Sequence, residues 1–504
     1  MQTSKLKPVF NLVAINKEFV RTVTVASTAV KSESGVKTWR EIPGPSSLPI
    51  IGQLHHFLPG GDLKNFEQPE MTMKLYETYG PIVRFDKMLG KPPLIFLFEP
   101  ESCAQVLRSE NWMPLRPGFV SLEYYRKELK KQRGHTVRTT GLVTDHGEIW
   151  KEFRSTVNPV LLQPKTIKLY CNVLDEVAQD MVARMKSIRD ENNMITKNFD
   201  TEMNLWALES IGTVALGCRL NCLDSDLAPE SPERQLIQCI HDLFKTIYEL
   251  DAKPSLWRYF PTPTFKKAMK LYEHHETLTK YFLRKGIDEL KHKLDKEKGV
   301  LEKLLEIDEE VAYIMASDML FGGVDTSANT VTAVLYHLAK NPDKQNKLRE
   351  EIMSKSEKRP YLRACIKEST RLMPIVLGCM RQTTKDCEIL GYKIPKDIHL
   401  LFASRDMSLM DHHYPRSREY IPERWLVDKT DPLYYGNTHP FVYMPFGFGV
   451  RSCIGRRIAE LEMDTFVARL IENFKVEWVG PPPTVAQTTL IYIKGPFNFV
   501  FKDV

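Results

Sequence analysis

Phe446-Gly447-Phe448-Gly449-Val450-Arg451-Ser452-Cys453-Ile454-Gly455 sets one cysteine in a loop punctuated by three glycines. An aromatic lies seven residues before the cysteine and an arginine two before it. A thiolate that binds iron must stay deprotonated and protected from oxidation, which calls for backbone amides aimed at sulfur, an apolar cover and nearby positive charge. Phe446 supplies the cover, and Gly447, Gly449 and Gly455 permit a tight bulge and close approach of backbone to a flat macrocycle. The stretch Ile454 to Leu470 carries apolar Ile458, Leu461, Phe466 and Leu470 without a breaker, so it reads as a helix whose positive N-terminal end favours the thiolate. Arg451 suits a macrocycle carboxylate, because a planar guanidinium pairs bidentately with one.

The ten residues match Phe-x-x-Gly-x-Arg-x-Cys-x-Gly at every specified position, and on this loop the chain resembles the cytochrome P-450 superfamily. The resemblance implies haem b with Cys453 as the axial ligand to its iron. It also implies a mainly α fold, a helical prism with small β-sheets that holds haem between a long central helix and the helix after the cysteine loop.

Val311 to Lys340 is rich in Ala, Leu, Met and Val and ends at Asn341-Pro342, so it reads as a helix about 45 Å long at 1.5 Å per residue. Polar Asp318, Asp325, Thr326, Ser327, Asn329 and Thr330 inside it exclude a lipid-facing span and require partners or a function. Gly322-Gly323-Val324-Asp325-Thr326-Ser327 holds two adjacent glycines, each costing roughly 1 kcal/mol in a helix interior, which points to close approach of a flat ligand. Thr326, four residues after Gly322, can hydrogen-bond that residue's carbonyl and loosen the local ladder. The segment matches the superfamily's oxygen-activation motif. By that resemblance Thr326 holds the bound dioxygen and Asp325 relays protons.

Glu368 and Arg371 lie three apart in the helical stretch Leu362 to Leu372 and share a face. With Pro422-Glu423-Arg424-Trp425 they match a second superfamily signature, which implies a buried triad of Glu368, Arg371 and Arg424. Trp150 and Arg154 stand four apart on a helix whose start near Asp145-His146-Gly147-Glu148 reads as capped. By resemblance Trp150, Arg154, Arg381 and Arg451 hold the haem propionates. Ile42-Pro43-Gly44-Pro45 matches the proline-rich hinge that opens the catalytic domain.

No linker, repeat or low-complexity tract divides the 504 residues, and the expected organisation is a leader over 1–38 and one haem-thiolate monooxygenase domain over 39–504. Nine cysteines show no disulfide framework. Cys218 and Cys222 could share a helix face but have no His or Cys partner set for a metal, and adjacent His412 and His413, which would point opposite ways in an extended segment, read as a surface loop. Residues 1–40 hold seven Lys or Arg against two acids, the composition of a mitochondrial transit peptide. They account for +5 of the formal +6 charge, so the remainder is nearly neutral and implies no nucleic-acid partner.

Arg363 and Lys367, with Arg456 and Arg457, resemble the mitochondrial branch, where such residues dock an acidic 2Fe-2S ferredoxin fed by an NADPH-dependent reductase. Placement on the matrix side of the inner mitochondrial membrane, with peripheral contact, follows from the same resemblance. No nucleotide-binding fingerprint is present. The loop Leu115 to Arg138, Met319 to Gly323, Ile375 to Cys379 and Thr488 to Leu490 are expected to line a pocket for a lipophilic substrate. Within that loop the basic run Arg126, Lys127, Lys130, Lys131 and Arg133 reads as solvated. Phrases such as Arg116-Pro117-Gly118-Phe119 resemble arthropod members, which include ecdysteroid hydroxylases and detoxification enzymes. A peroxide-rearranging isomerase commonly lacks the acid-alcohol pair, and a noncatalytic haem sensor or lipid-binding protein needs no ferredoxin surface. Only Ile352 to Arg359 separate two helical stretches that related chains join by a longer insert.

Overall fold

Asp308 opens the central helix: its Oδ1 accepts the Glu310 N–H at 2.7 Å, and the helix then runs Glu309–Lys340 to the expected stop at Asn341. In this computed structural model the described residues are 35–504 without 50, 66, 87, 197, 226, 293–296 and 357, so the expected leader lies almost wholly outside them. Most polar residues of the central helix find partners. Asp318 accepts from Arg126 Nη1 at 2.6 Å and from the Leu142 N–H at 2.9 Å, while Ser327 donates to Glu462 at 3.1 Å.

The helix Phe199–Leu216 packs along the central helix and is buried on nearly every side, with its buried acids Glu202 and Glu209 accepting from Arg184 and from Arg219 and the Leu220 and Cys222 N–H groups. Trp206 on it stacks on Phe466 of the helix Arg456–Asn473, with ring centroids 4.2 Å apart. The helix that follows the cysteine loop is thereby fixed against the core. One buried apolar cluster extends from Leu122 to Phe501.

A four-stranded sheet lies beside this core in the order Ile82–Phe85, Leu94–Leu97, His399–Phe402, Cys379–Gln382, with only the middle pair parallel. The Ile42–Pro45 hinge lies on its edge: Pro43 accepts from the Arg84 N–H at 2.8 Å, and a Cβ on Gly44 would sit 2.2 Å from the Arg84 carbonyl oxygen. The C-terminal stretch 491–503 holds two strands in separate sheets. Ile491–Lys494 pairs with Thr484–Gln487, and Phe499–Asp503 pairs with Phe474–Trp478.

Several local expectations are overturned. The Leu115 to Arg138 segment is largely helical from Val120 to Gln132, and its basic run is not simply solvated. Arg126 reaches inward to Asp318 and Thr140, Lys130 pairs with Glu276 at 2.9 Å, and Arg133 pairs with Glu273. Cys218 and Cys222 follow the end of a helix, where the buried Glu209 carboxylate accepts the Cys222 N–H at 2.7 Å. The described residues hold no metal-binding cluster. His412 and His413, by contrast, lie in a surface turn as expected, with ring centroids 4.2 Å apart. The short connection after the helix Pro342–Met353 is closed by Glu351, which accepts the Tyr361 and Leu362 N–H groups at 2.8 and 2.9 Å and so caps the helix Pro360–Leu372.

Candidate active site

The cysteine loop closes on itself where Cys453 N–H donates to the Phe446 carbonyl at 2.9 Å. Gly447 and Gly449 hold φ of 72° and 69°, the left-handed backbone that a side chain resists. Gly455 has an ordinary φ of −80°, and its purpose is proximity: a Cβ there would lie 3.9 Å from the Cys453 Sγ. Cys453 is exposed and yet crowded by protein, as suits a group that faces a cavity. Burial pushes its thiol up, against the pull of the Gly455 amide and of Arg154, Arg116 and Arg456. The Arg456 guanidinium also covers the Phe446 ring, 5.3 Å from its centroid.

Trp150 and Arg154 project from the helix Gly147–Leu161. That helix carries no side-chain cap, contrary to expectation. The Asp145 carboxylate turns back instead to accept the N–H groups of Thr140 and Gly141 at 2.8 and 3.1 Å, with the Thr140 hydroxyl. Its carbonyl, with those of Pro114 and Leu142, accepts from Arg451, whose guanidinium stacks 3.6 Å from the Trp150 ring centroid. Arg451 therefore ties the 114–145 segment to the ligand loop with three of its donors. Arg381, at the sheet edge, pairs with Glu110 and also donates to Met380 and Phe448 carbonyls at 2.9 and 3.2 Å.

The free donors lie elsewhere. Trp150 Nε1 and Arg154 Nε are buried with no hydrogen-bond partner among the described residues. Arg116 makes one bond, to the Val143 carbonyl at 3.2 Å, and its charge acts on both Arg451 and Cys453. Burial, with repulsion from Arg116, Arg381 and Arg154 added to it, holds Arg451 down at about 9. Burial likewise brings Arg154 to about 10. Asp318 also acts on Arg116 but is paired with Arg126, so Arg116, Arg154, Arg381 and Arg451 are left with two carboxylates, Glu110 and Asp145. The two propionates of a haem would restore the balance and accept the orphaned donors, so these residues fit that group. Arg116 was legible only as part of a family phrase, because its proximity to Cys453 arises from chain folding across more than three hundred residues.

On the central helix the two glycines separate. A Cβ on Gly322 would meet nothing within 4 Å, whereas one on Gly323 would lie 2.6 Å from Ile211 Cγ1. Only Gly322 faces open space, and Gly323 serves helix packing. Thr326 Oγ1 donates to the Gly322 carbonyl as expected. Beside them Phe321 stacks on Phe244 at 4.8 Å and meets Phe119 edge-on at 5.8 Å. Ile375 accepts the Ile491 N–H and Thr489 donates to the Phe244 carbonyl, so the expected lining segments converge. Asp325 points another way. It is 4% exposed, its Oδ1 has no partner among the described residues, and Oδ2 lies 4.0 Å from His241 Nδ1. Burial pushes its carboxyl up to about 6 against the pull of His241.

Glu368, Arg371 and Arg424 meet as expected and are wholly buried. Glu368 Oε1 accepts from Arg371 at 2.8 Å, from Arg424 at 2.9 Å and from the Ile421 N–H at 3.1 Å, and Oε2 accepts from Arg371 and Trp425 at 2.9 Å. Arg371 also donates to the carbonyls of Ser408, Ser417 and Glu419. Arg363 bonds Asp464 at 3.2 Å, which brings the exposed Arg363 and Lys367 alongside the helix that starts with exposed Arg456 and Arg457.

A helical scaffold with an isolated cysteine loop, carboxylate-seeking donors and a cavity beside Gly322 and Thr326 has the constitution of a haem-thiolate monooxygenase. The Cytochrome P450 family matches residues 42–501, and the chain belongs to that family, whose members bind haem b iron through a cysteine thiolate. Cytochrome P450 CYP12A2 of Musca domestica is 39% identical over 95% of this chain and 93% of its own length. Probable cytochrome P450 12a5, mitochondrial, of Drosophila melanogaster is 37% identical over 93% and 91%. Cytochrome P450 12b1, mitochondrial, of Drosophila acanthoptera is 34% identical over 90% and 88%.

Proposed function

We propose that this chain is a mitochondrial, ferredoxin-fed monooxygenase that inserts one atom of O2 into a lipophilic substrate, with residues 39–504 as the catalytic domain and 1–38 as a transit leader. The observation that carries the reading is the Cys453 loop, whose sulfur is approached by Gly455 and faced by the arginine cluster. Haem held there by Cys453 supplies the oxygen-splitting chemistry, with electron density from the thiolate. Trp150, Arg154 and Arg116 hold its carboxylates with donors left open, while Arg381 and Arg451 orient the surrounding backbone. Thr326 presents its hydroxyl beside the opening at Gly322, and the buried Asp325 behind it is the acid that takes up and passes on protons. Phe119, Phe244 and Phe321 make that side apolar, which suits a steroid-like or xenobiotic lipophile and excludes bulk water.

Arg363, Lys367, Arg456 and Arg457 would receive an acidic ferredoxin. Arg363 and Arg456 are held by exposed pairs with Asp464 and Glu460, worth about 0–1 kcal/mol each, and an incoming acidic surface can exchange them. The mitochondrial names of relatives support this donor and a matrix-side location. No described helix is long and apolar enough to cross a membrane. Exposed Leu256, Tyr259 and Phe260 on one loop and Leu48, Ile51 and Leu58 near the hinge would give peripheral contact with the inner membrane.

Reduced, carbon monoxide-treated protein should show the thiolate-ligated Soret band, and Cys453→Ser should abolish it. Ferredoxin, reductase and NADPH should then convert members of a steroid and xenobiotic panel to products heavier by one oxygen, read by mass spectrometry. A thiolate band that survives in Cys453→Ser, or no product from any lipophile, overturns the reading.

A further inference from the structure

Asp325 is a buried acid with an open oxygen, and each turnover of a monooxygenase consumes two protons. Substrate RH, O2, two electrons and two protons give ROH and water, so a buried acid that supplies those protons must be recharged from outside. The helix Pro232–Ile247 crosses the central helix at this point and presents His241. His241 is 52% exposed while its Nδ1 lies 4.0 Å from Asp325 Oδ2. It is half in solvent and within a small ring rotation of hydrogen-bonding the carboxylate.

The other groups that act on Asp325 do not offer this path. Asp200, from the helix Phe199–Leu216, is an acid that opposes ionisation of Asp325. Tyr492, from the strand Ile491–Lys494, has its phenol pushed up by burial, Glu67 and Asp325, and so holds its proton. Asn329 and Thr330 hydrogen-bond backbone carbonyls of the central helix itself. On its own helix, the neighbouring Asp242 faces Lys267 at 3.6 Å instead. His241 is half in solvent, and an imidazole can accept a proton on one ring nitrogen while passing one from the other.

We infer that His241 is the relay through which Asp325 takes up protons from solvent. The imidazolium Nδ1–H passes its proton to Asp325 Oδ2, the carboxylate becomes a carboxyl, and the neutral ring is reprotonated from water. The inference rests on the proposed oxygen-activating use of Asp325 and Thr326. His241 touches neither substrate nor cofactor and acts through Asp325 alone. A cation at this distance also sets the acid's proton affinity: it favours the carboxylate, so its removal drives the affinity up.

His241→Gln and Asp325→Asn test this in the haem-replete enzyme, with intact Soret spectra as the check on folding. Infrared titration of the resting enzyme follows the carboxyl band that Asp325→Asn deletes. In His241→Gln that band should titrate about one pH unit higher than in wild type. With ferredoxin, reductase and NADPH and no added substrate, His241→Gln should release severalfold more hydrogen peroxide per NADPH oxidised and show a larger solvent deuterium isotope effect. An unshifted band with wild-type peroxide yield in His241→Gln overturns the relay while Asp325→Asn remains impaired. Wild-type behaviour of Asp325→Asn overturns the use of Asp325 itself, and the relay with it.

Discussion

Glu368 accepts five hydrogen bonds with no water-exposed surface, so every donor around it depends on one carboxylate charge. Removing that charge leaves Arg371 and Arg424 buried and uncompensated, a loss of about 3–5 kcal/mol. Glu368→Gln should therefore yield poorly folded, haem-free protein, read as Soret absorbance per chain and as a lowered melting temperature. Stable, haem-replete protein from this variant would contradict the argument. The Glu368–Arg371 pair was legible from spacing and Arg424 from the family signature around it. Arg116 and Glu110 were not, since nothing local marks a surface-type residue that folding carries into a cation cluster.

At the scale of an element, the paired glycines of the central helix look equivalent in sequence and are not equivalent in space. Gly323→Ala would drive a Cβ to 2.6 Å from Ile211 Cγ1 and 3.1 Å from two further atoms of that side chain, an overpacking cost of about 1–3 kcal/mol. Gly322→Ala meets no atom within 4 Å and should gain up to about 1 kcal/mol of helix propensity while narrowing the cavity. Urea unfolding of the two variants should thus shift in opposite directions; equal shifts would refute the assignment of one glycine to packing and the other to the cavity. The expected helix boundaries held to within a few residues because apolar periodicity and stop signals are local. The missing cap at His146 and the division of the C-terminal strands were not legible, since both follow from distant partners.

For the whole molecule, buried titratable groups oppose one another across the pH range. Burial holds His275 near 3 and His146 and His337 near 4, below the ordinary histidine value, so the unfolded chain binds more protons and stability falls as pH drops from about 6.5 towards 4. Glu462 does the reverse. Buried between the central helix and the ligand-loop helix, its carboxyl is pushed up to about 8, so folding retains a proton that the unfolded chain releases above about 4.5. Its contribution is full at low pH and is lost as pH rises to about 8. Glu462→Gln cannot ionise in either state. Measured by denaturant unfolding, its stability relative to wild type should improve between pH 5 and 8 by up to about 4 kcal/mol, and a pH-independent difference would contradict this.

The sequence by itself determined the family, the cysteine loop, the Glu368–Arg371 pair and the Gly322–Ser327 segment that matches a family signature, because each is a short pattern of particular residues at fixed spacing. Tertiary structure decided which donors remain open to a carboxylate, that Arg451 and Arg381 serve backbone and Glu110, and that Asp325 turns from the cavity towards His241. Those outcomes depend on which distant side chains desolvate or neutralise a charge. Such contacts are set by packing across hundreds of residues, and local spacing carries no record of them.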